Sequence, residues 1–243
     1  MAKVFTVTSG KGGVGKSTFC TNIAKALCKN QKKVLLIDGD VALRSLDLLL
    51  HLDENLVYDW SDVIAERCSK ESAILMYNEN LHLLPSPLEM PEDLTADDFK
   101  SMVQNFASSY DFIFIDSPAG IGDLPKIYAQ ASDECIIIAT PDNISARSAC
   151  VAGNFVIKSG IKEENIRLVI NRFNRKSVKK GKYLNIDEII DITYIRLLGV
   201  IPEEPVFMYS SVVEKNLSSR NNAVSAFGNI AGRILGKEIP LNL

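Results

Sequence analysis

Ten residues near the start, Ser9-Gly10-Lys11-Gly12-Gly13-Val14-Gly15-Lys16-Ser17-Thr18, restrict this chain more than any other stretch. They follow a short apolar alternating run, Val4 to Thr8, and lead into a helical pattern from Lys16 to Cys28. Gly10, Gly15, Lys16 and Ser17 fill G-x-x-x-x-G-K-[ST], a strand-to-helix loop whose backbone N–H groups cradle phosphate. Glycine lets the backbone take positive φ and approach phosphate oxygens with no Cβ in the way. From Gly10 through Gly12, Gly13, Val14 and Gly15 to Thr18, the backbone and the helix start form an anion nest. Lys16 is expected on the β- and γ-phosphates and the Ser17 hydroxyl on Mg²⁺. Gly10-x-Gly12-x-x-Gly15 also fits the dinucleotide fingerprint, with acidic Asp38 and Asp40 about 20 positions later. Lys16-Ser17 directly behind the last glycine decides for a triphosphate, because a dinucleotide needs neither a γ-phosphate lysine nor a metal-binding hydroxyl there.

Lys11 narrows the reading, since a second lysine early in the loop is unnecessary for holding phosphate within one subunit. With Lys11, the loop resembles the deviant P-loop ATPases of the MinD/ParA family, which read K-G-G-x-G-K-[ST]. Further stretches carry the likeness. Asp38-Gly39-Asp40-Val41-Ala42-Leu43-Arg44-Ser45-Leu46-Asp47 follows a buried run and resembles the family's first switch. Tyr58-Asp59-Trp60-Ser61-Asp62 resembles the segment after it, and Asp116-Ser117-Pro118-Ala119-Gly120 the second switch. The likeness runs from about residue 3 to 235.

The resemblance implies Mg²⁺ and ATP as cofactors. It implies an ATP hydrolase of low basal rate, stimulated by a partner, with Lys11 reaching the nucleotide of a second subunit in an ATP-dependent homodimer. By the same resemblance Asp40 positions the attacking water, so Lys11, Lys16 and Asp40 are the expected catalytic residues. Asp38 is expected near the magnesium shell, and Asn171 and Pro202 on either side of the adenine. Independently, a buried strand ending in Asp116 is the second acidic element such a site needs, so Ser17, Asp38 and Asp116 are the expected metal residues. Gly120 and Gly122 are expected to let the second switch move.

The apolar runs Val34–Ile37, Phe112–Ile115, Glu134–Ala139 and Ile166–Ile170 suit parallel strands buried on both faces. Helical spacing follows the loop and recurs over Phe99–Phe106 and Val224–Leu235. The expected fold is a single three-layer α/β P-loop domain over residues 1–243, with a mainly parallel central sheet. Net charge is −3, which argues for neither nucleic acid nor an anionic membrane. The basic residues Arg172, Arg175, Lys176, Lys179, Lys180 and Lys182 leave a docking surface open. Five scattered cysteines contain no C-x-x-C pair, and only two histidines exist, so neither a disulfide framework nor a zinc site is expected. His82 and His51 read as structural histidines.

The function the resemblance implies is spatial regulation of cell division, or positioning of a cellular structure, with division inhibitor-like and activator-like partners. A DNA or plasmid segregation ATPase and a flagellar-number regulator of the same family are the alternatives, and an ATP-using metabolic enzyme on this fold is a third. A cytoplasmic location is expected. The tail Lys237–Leu243 is short and interrupted by Pro240, lacking a basic amphipathic helix. Membrane contact is therefore expected through a partner.

Overall fold

The structure is a computed structural model that describes residues 1–41, 43–204 and 222–241. Ala42 of the first switch and the last two residues of the tail lie outside the described residues. Among the described residues eight strands form one sheet: β1 Lys3–Thr8, β2 Val34–Asp38, β3 Leu75–Met76, β4 Leu81–Leu84, β5 Phe112–Asp116, β6 Glu134–Ala139, β7 Ile166–Phe173 and β8 Leu197–Pro202. Their order is β3-β4-β2-β5-β1-β6-β7-β8, parallel except for the β3–β4 pair at one edge. This is a single α/β domain with a mainly parallel sheet.

Nine helices cover the sheet among the described residues: α1 Lys16–Cys28, α2 Ser45–Leu50, α3 Trp60–Ile64, α4 Ala96–Phe106, α5 Asp123–Gln130, α6 Asn143–Lys158, α7 Arg175–Lys179, α8 Ile186–Thr193 and α9 Asn222–Ile234. Alternate residues of each strand supply two separate cores. Val34 and Leu36 of β2 pack with Phe19, Ile23 and Leu27 of α1, Leu46 of α2 and Phe227 of α9. Leu35 and Ile37 face the other way, onto Trp60 of α3, Phe99 of α4 and Tyr128 of α5. Farther along that second face, α6 and α8 cover β6 and β7. Runs apolar at every position are thus required by a sheet buried on both sides.

Period-2 geometry sets where the acidic strand ends point. Asp38 and Asp116 are register partners at the ends of β2 and β5. Each lies two residues beyond a side chain of the α1-side core, Leu36 and Phe114 respectively. Both carboxylates therefore project toward the start of α1, at the carboxyl ends of the strands, where open α/β sheets bind ligands.

Candidate nucleotide and magnesium site

Gly15 has φ +98° and opens α1. Its missing Cβ matters twice, since a methyl there would also lie 2.5 Å from the Asn171 amide nitrogen. Gly10 is constrained by packing: a Cβ would lie 2.0 Å from the Ser148 carbonyl oxygen, so the loop rests directly on the backbone of α6. Ser9, fully buried, donates its hydroxyl to the Lys11 carbonyl at 2.7 Å. Val14 is buried, as is Lys16, whereas Lys11, Gly12 and Gly13 are exposed at the mouth. The two loop lysines thus differ in kind, one built into the site and one presented outward.

The second switch is tied to this loop by backbone. Ser117 N–H donates to the Val7 carbonyl at 3.0 Å, and Gly120 N–H to the Ser9 carbonyl at 2.8 Å. Gly120 has φ +93°, a conformation that favours glycine. Gly122 is extended, at φ 169°, and needs no glycine on that account.

Asp116 is fully buried, and neither of its carboxylate oxygens has a hydrogen-bond partner. Burial pushes its pKa up to about 6; the nearby Ser17 hydroxyl and the Lys16 charge restrain the rise, and the Asp40 charge adds to it. Burial, then the Asp116 charge, pushes Asp38 up to about 7. Asp38 is otherwise satisfied, its two oxygens accepting the Asp40 and Leu46 N–H groups at 3.0 Å each. It clamps the first switch at both ends. Asp40 is half-buried; burial raises its pKa and Lys16 opposes the rise. The β2 end is pinned from the second face, where Trp60 Nε1 donates to the Asp38 carbonyl and the Tyr128 hydroxyl to the Gly39 carbonyl, each at 3.0 Å.

Mg²⁺ fits this corner. An orphaned, buried carboxylate facing a serine hydroxyl is a hard-oxygen set, and Mg²⁺ is held by one or two such groups plus waters and phosphates. Among the described residues no group of three or more acidic, histidine or cysteine side chains is arranged to hold a metal ion by itself.

Beside Gly15 a cleft is lined by Thr18, Phe19, Asn171, Arg172, Pro202 and Glu203. Asn171 and Pro202 share this cleft. The Asn171 amide is also engaged locally: its nitrogen donates to the Val14 carbonyl at 2.8 Å, and its oxygen accepts the Arg172 N–H at 2.9 Å. Sequence reasoning missed this bracing of the loop, because nothing in a strand-end asparagine announces a partner 157 residues away. It also missed Ser45, whose hydroxyl donates to Ser17 Oγ at 3.0 Å. A roomier cavity of about 330 Å³, between α6 and Thr193–Arg196, holds none of this chemistry.

His82 Nδ1 pairs with the Tyr110 hydroxyl at 2.8 Å.

A glycine cradle at a helix start, facing an unpaired acidic strand end, places the chain among the P-loop nucleoside triphosphatases. Comparison with known proteins narrows the class. A family described as "ParA: NUBPL iron-transfer P-loop NTPase" matches residues 1–235. The septum site-determining protein MinD of Bacillus subtilis is 34% identical over 252 residues, covering 100% of this chain and 92% of that protein. MinD of Thermotoga maritima is also 34% identical, over 99% of this chain and 91% of the relative. Among solved structures, the MinC:MinD cell division protein complex of Aquifex aeolicus matches with a TM-score of 0.90 at 34% identity, covering 100% of this chain and 99% of that one. MinD of Pyrococcus horikoshii, complexed with Mg-ADP, matches at 0.82 and 26% identity over 96% of each chain. The chain therefore belongs to the ParA/MinD family of P-loop NTPases, and its full-length relatives are cell-division ATPases. Its five cysteines are all free and separate, so the iron-transfer part of the family description finds no thiol cluster here.

Proposed function

We propose that the protein is a Mg²⁺-ATP-driven dimerising switch that acts in the placement of cell division, as its MinD relatives do. The observation that carries this reading is the position of Lys11. Its side chain is exposed at the mouth of the cradle; burial would raise the Asp142 carboxyl, hydrogen bonds from Thr140 and Ser145 bring it below its ordinary value, and the Lys11 charge adds a smaller push the same way. Exposed apolar side chains occur on the segments that follow β2 and β5 and at the start of α6: Leu43 at 73%, Ile121 at 60% and Ile144 at 68%. An outward cation at the mouth of the cradle, together with exposed apolar groups on these segments, suits a face that closes on a second copy, carrying Lys11 to the other nucleotide.

In this reading Lys16 and the loop amides bind the triphosphate, Ser17 and Asp116 hold the cation, and Asp38 stays at the edge of the metal shell as the clamp of the first switch. Bound magnesium supplies charge neutralisation on the phosphates. Asp40, held by its own N–H on Asp38, orients the attacking water. Asn171 and Pro202 flank the base. Basal turnover is low because the outward lysine acts only in the dimer. The partners are a division inhibitor resembling the MinC of the Aquifex complex and an activator that speeds hydrolysis. The protein works in the cytoplasm, and contact with the membrane is made through a partner; no described helix is long and apolar enough to cross a membrane.

Calorimetric titration of ADP with Mg²⁺ tests the core of this reading. Wild type should bind and Lys16→Ala should not. Equal affinities would end it.

One observation supports a second reading, a DNA-segregation switch. Arg172, Arg175, Lys176, Lys179, Lys180 and Lys182 are all exposed around α7. DNA affinity falling steeply with salt, and dependent on ATP, would favour it.

A further inference from the structure

The hydroxyl of Ser45 meets that of Ser17 at 3.0 Å, although the two residues are 28 positions apart in the chain. Hydroxyl–hydroxyl hydrogen bonds centre nearer 2.7–2.8 Å. Neighbouring oxygens around an octahedral Mg²⁺, each about 2.1 Å from the ion, stand about 3.0 Å from one another. The two hydroxyls therefore already have the spacing of adjacent metal ligands.

The backbone is built to hold Ser45 there. The next residue, Leu46, donates its N–H to Asp38. The preceding residue, Arg44, takes a left-handed conformation at φ +43°, unusual for a residue with a Cβ, and its N–H donates to the Asp40 carbonyl at 3.1 Å. Its guanidinium is folded back onto Asp47 at 3.0 Å, in an ion pair with side-chain exposures of only 15% and 5%. Strain at one residue, kept by a largely buried pair, is the mark of a neighbour whose placement matters. The Asp116 carboxylate offers further hard oxygen on the same side of the sheet, and waters and phosphates complete such a shell.

We infer that Ser45 is a second hydroxyl ligand of the cation that Ser17 holds, so that metal occupancy seats the first turn of α2. The inference rests on the reading of this corner as a Mg²⁺-nucleotide site. It gives the first switch a direct link to the metal, separate from the role of Asp40 toward water.

Mn²⁺ can stand in for Mg²⁺ and is counted by its spin resonance signal. The full chain is titrated with Mn²⁺ at saturating ADP, as wild type, Ser45→Ala, Ser45→Val and Ser45→Thr, and ADP affinity is measured separately in EDTA. Ser45→Val and Ser45→Thr have the same shape and differ in the hydroxyl, so the pair stays informative if alanine unsettles α2. Ser45→Ala and Ser45→Val should weaken Mn²⁺ binding by about 5- to 30-fold. Ser45→Thr should stay within about threefold of wild type, and ADP affinity in EDTA should be alike in all four. Wild-type Mn²⁺ affinity in Ser45→Val, or equal weakness in Ser45→Val and Ser45→Thr, overturns the assignment. A wild type that binds neither ADP nor Mn²⁺ instead overturns the site reading beneath it.

Discussion

Replacing Asp116 by asparagine should stabilise the nucleotide-free protein while destroying its hold on the metal. Asp116 rises from an ordinary 3.8 to about 6 because it is buried. At about 1.4 kcal/mol for each tenfold change in proton affinity, its charge costs the fold about 3 kcal/mol at neutral pH. The sign follows from proton counting. Between 3.8 and about 6 the folded chain holds a proton that the unfolded chain has lost. Stability from this group is therefore full below the lower value and lost as pH rises through the upper one. Asparagine matches the protonated carboxyl in size and inherits the same unmade hydrogen bonds, so those effects cancel and the charge term remains. Ser17 and Lys16 already hold the shift to about 6, so the expected gain is about 2–3 kcal/mol, or roughly 4–12 °C in melting midpoint for a chain of this size. The assay is thermal unfolding in EDTA at neutral pH and again at about pH 5, where roughly half the gain should remain. Adding Mg-ADP should reverse the ranking, because ligand stabilises only the form that binds it. A variant that melts lower than wild type in EDTA, or a gain that ignores pH, would refute the reasoning.

Other perturbations test separate parts of the structure. Lys11→Ala should leave nucleotide affinity largely intact yet abolish ATP-dependent dimerisation in light scattering; a dimer of normal stability would exclude the reach across subunits. Gly10→Ala must move the loop off the Ser148 carbonyl, at a cost of about 1–3 kcal/mol. ADP affinity should fall by about tenfold or more, since the cradle shifts with it. Gly12→Ala meets nothing within 4 Å in the protein, so its melting midpoint should stay near that of wild type. Trp60→Phe strips the Asp38 carbonyl of its indole donor and should cost about 2–4 kcal/mol. Urea unfolding followed by circular dichroism measures it, because Trp60 is the single tryptophan.

What the sequence revealed depended on whether a residue's role was local. The β1–loop–α1 unit was legible because glycine spacing, lysine and hydroxyl act within one turn. Strands β2, β5, β6 and β7 announced themselves as unbroken apolar runs, since both faces are covered. The two-residue β3 left no signal, and its antiparallel pairing at the sheet edge emerges only from the register of Leu75 with Leu83. Roles that depend on distant partners were hidden. Trp60 is core, yet it also donates to Asp38 across 22 positions. The seating of Gly10 on Ser148 and of Asn171 under Val14 likewise comes from tertiary packing. Charge along 172–182 was visible, but the short α7 depends on Asn174, whose side chain caps it by accepting the Lys176 and Ser177 N–H groups.

The indole of Trp60 and the phenol of Tyr128 grip two successive carbonyls where β2 ends, and this grip has a further consequence. Strand ends in other proteins can splay to let like charges drift apart, but here the peptide planes cannot turn without breaking both tethers. Only a proton or a cation can then quiet Asp38 and Asp116. At neutral pH Asp116, at about 6, has mostly lost its proton and Asp38, at about 7, keeps only part of one, so the rigidity of two aromatic anchors becomes an appetite for magnesium, set before any nucleotide arrives.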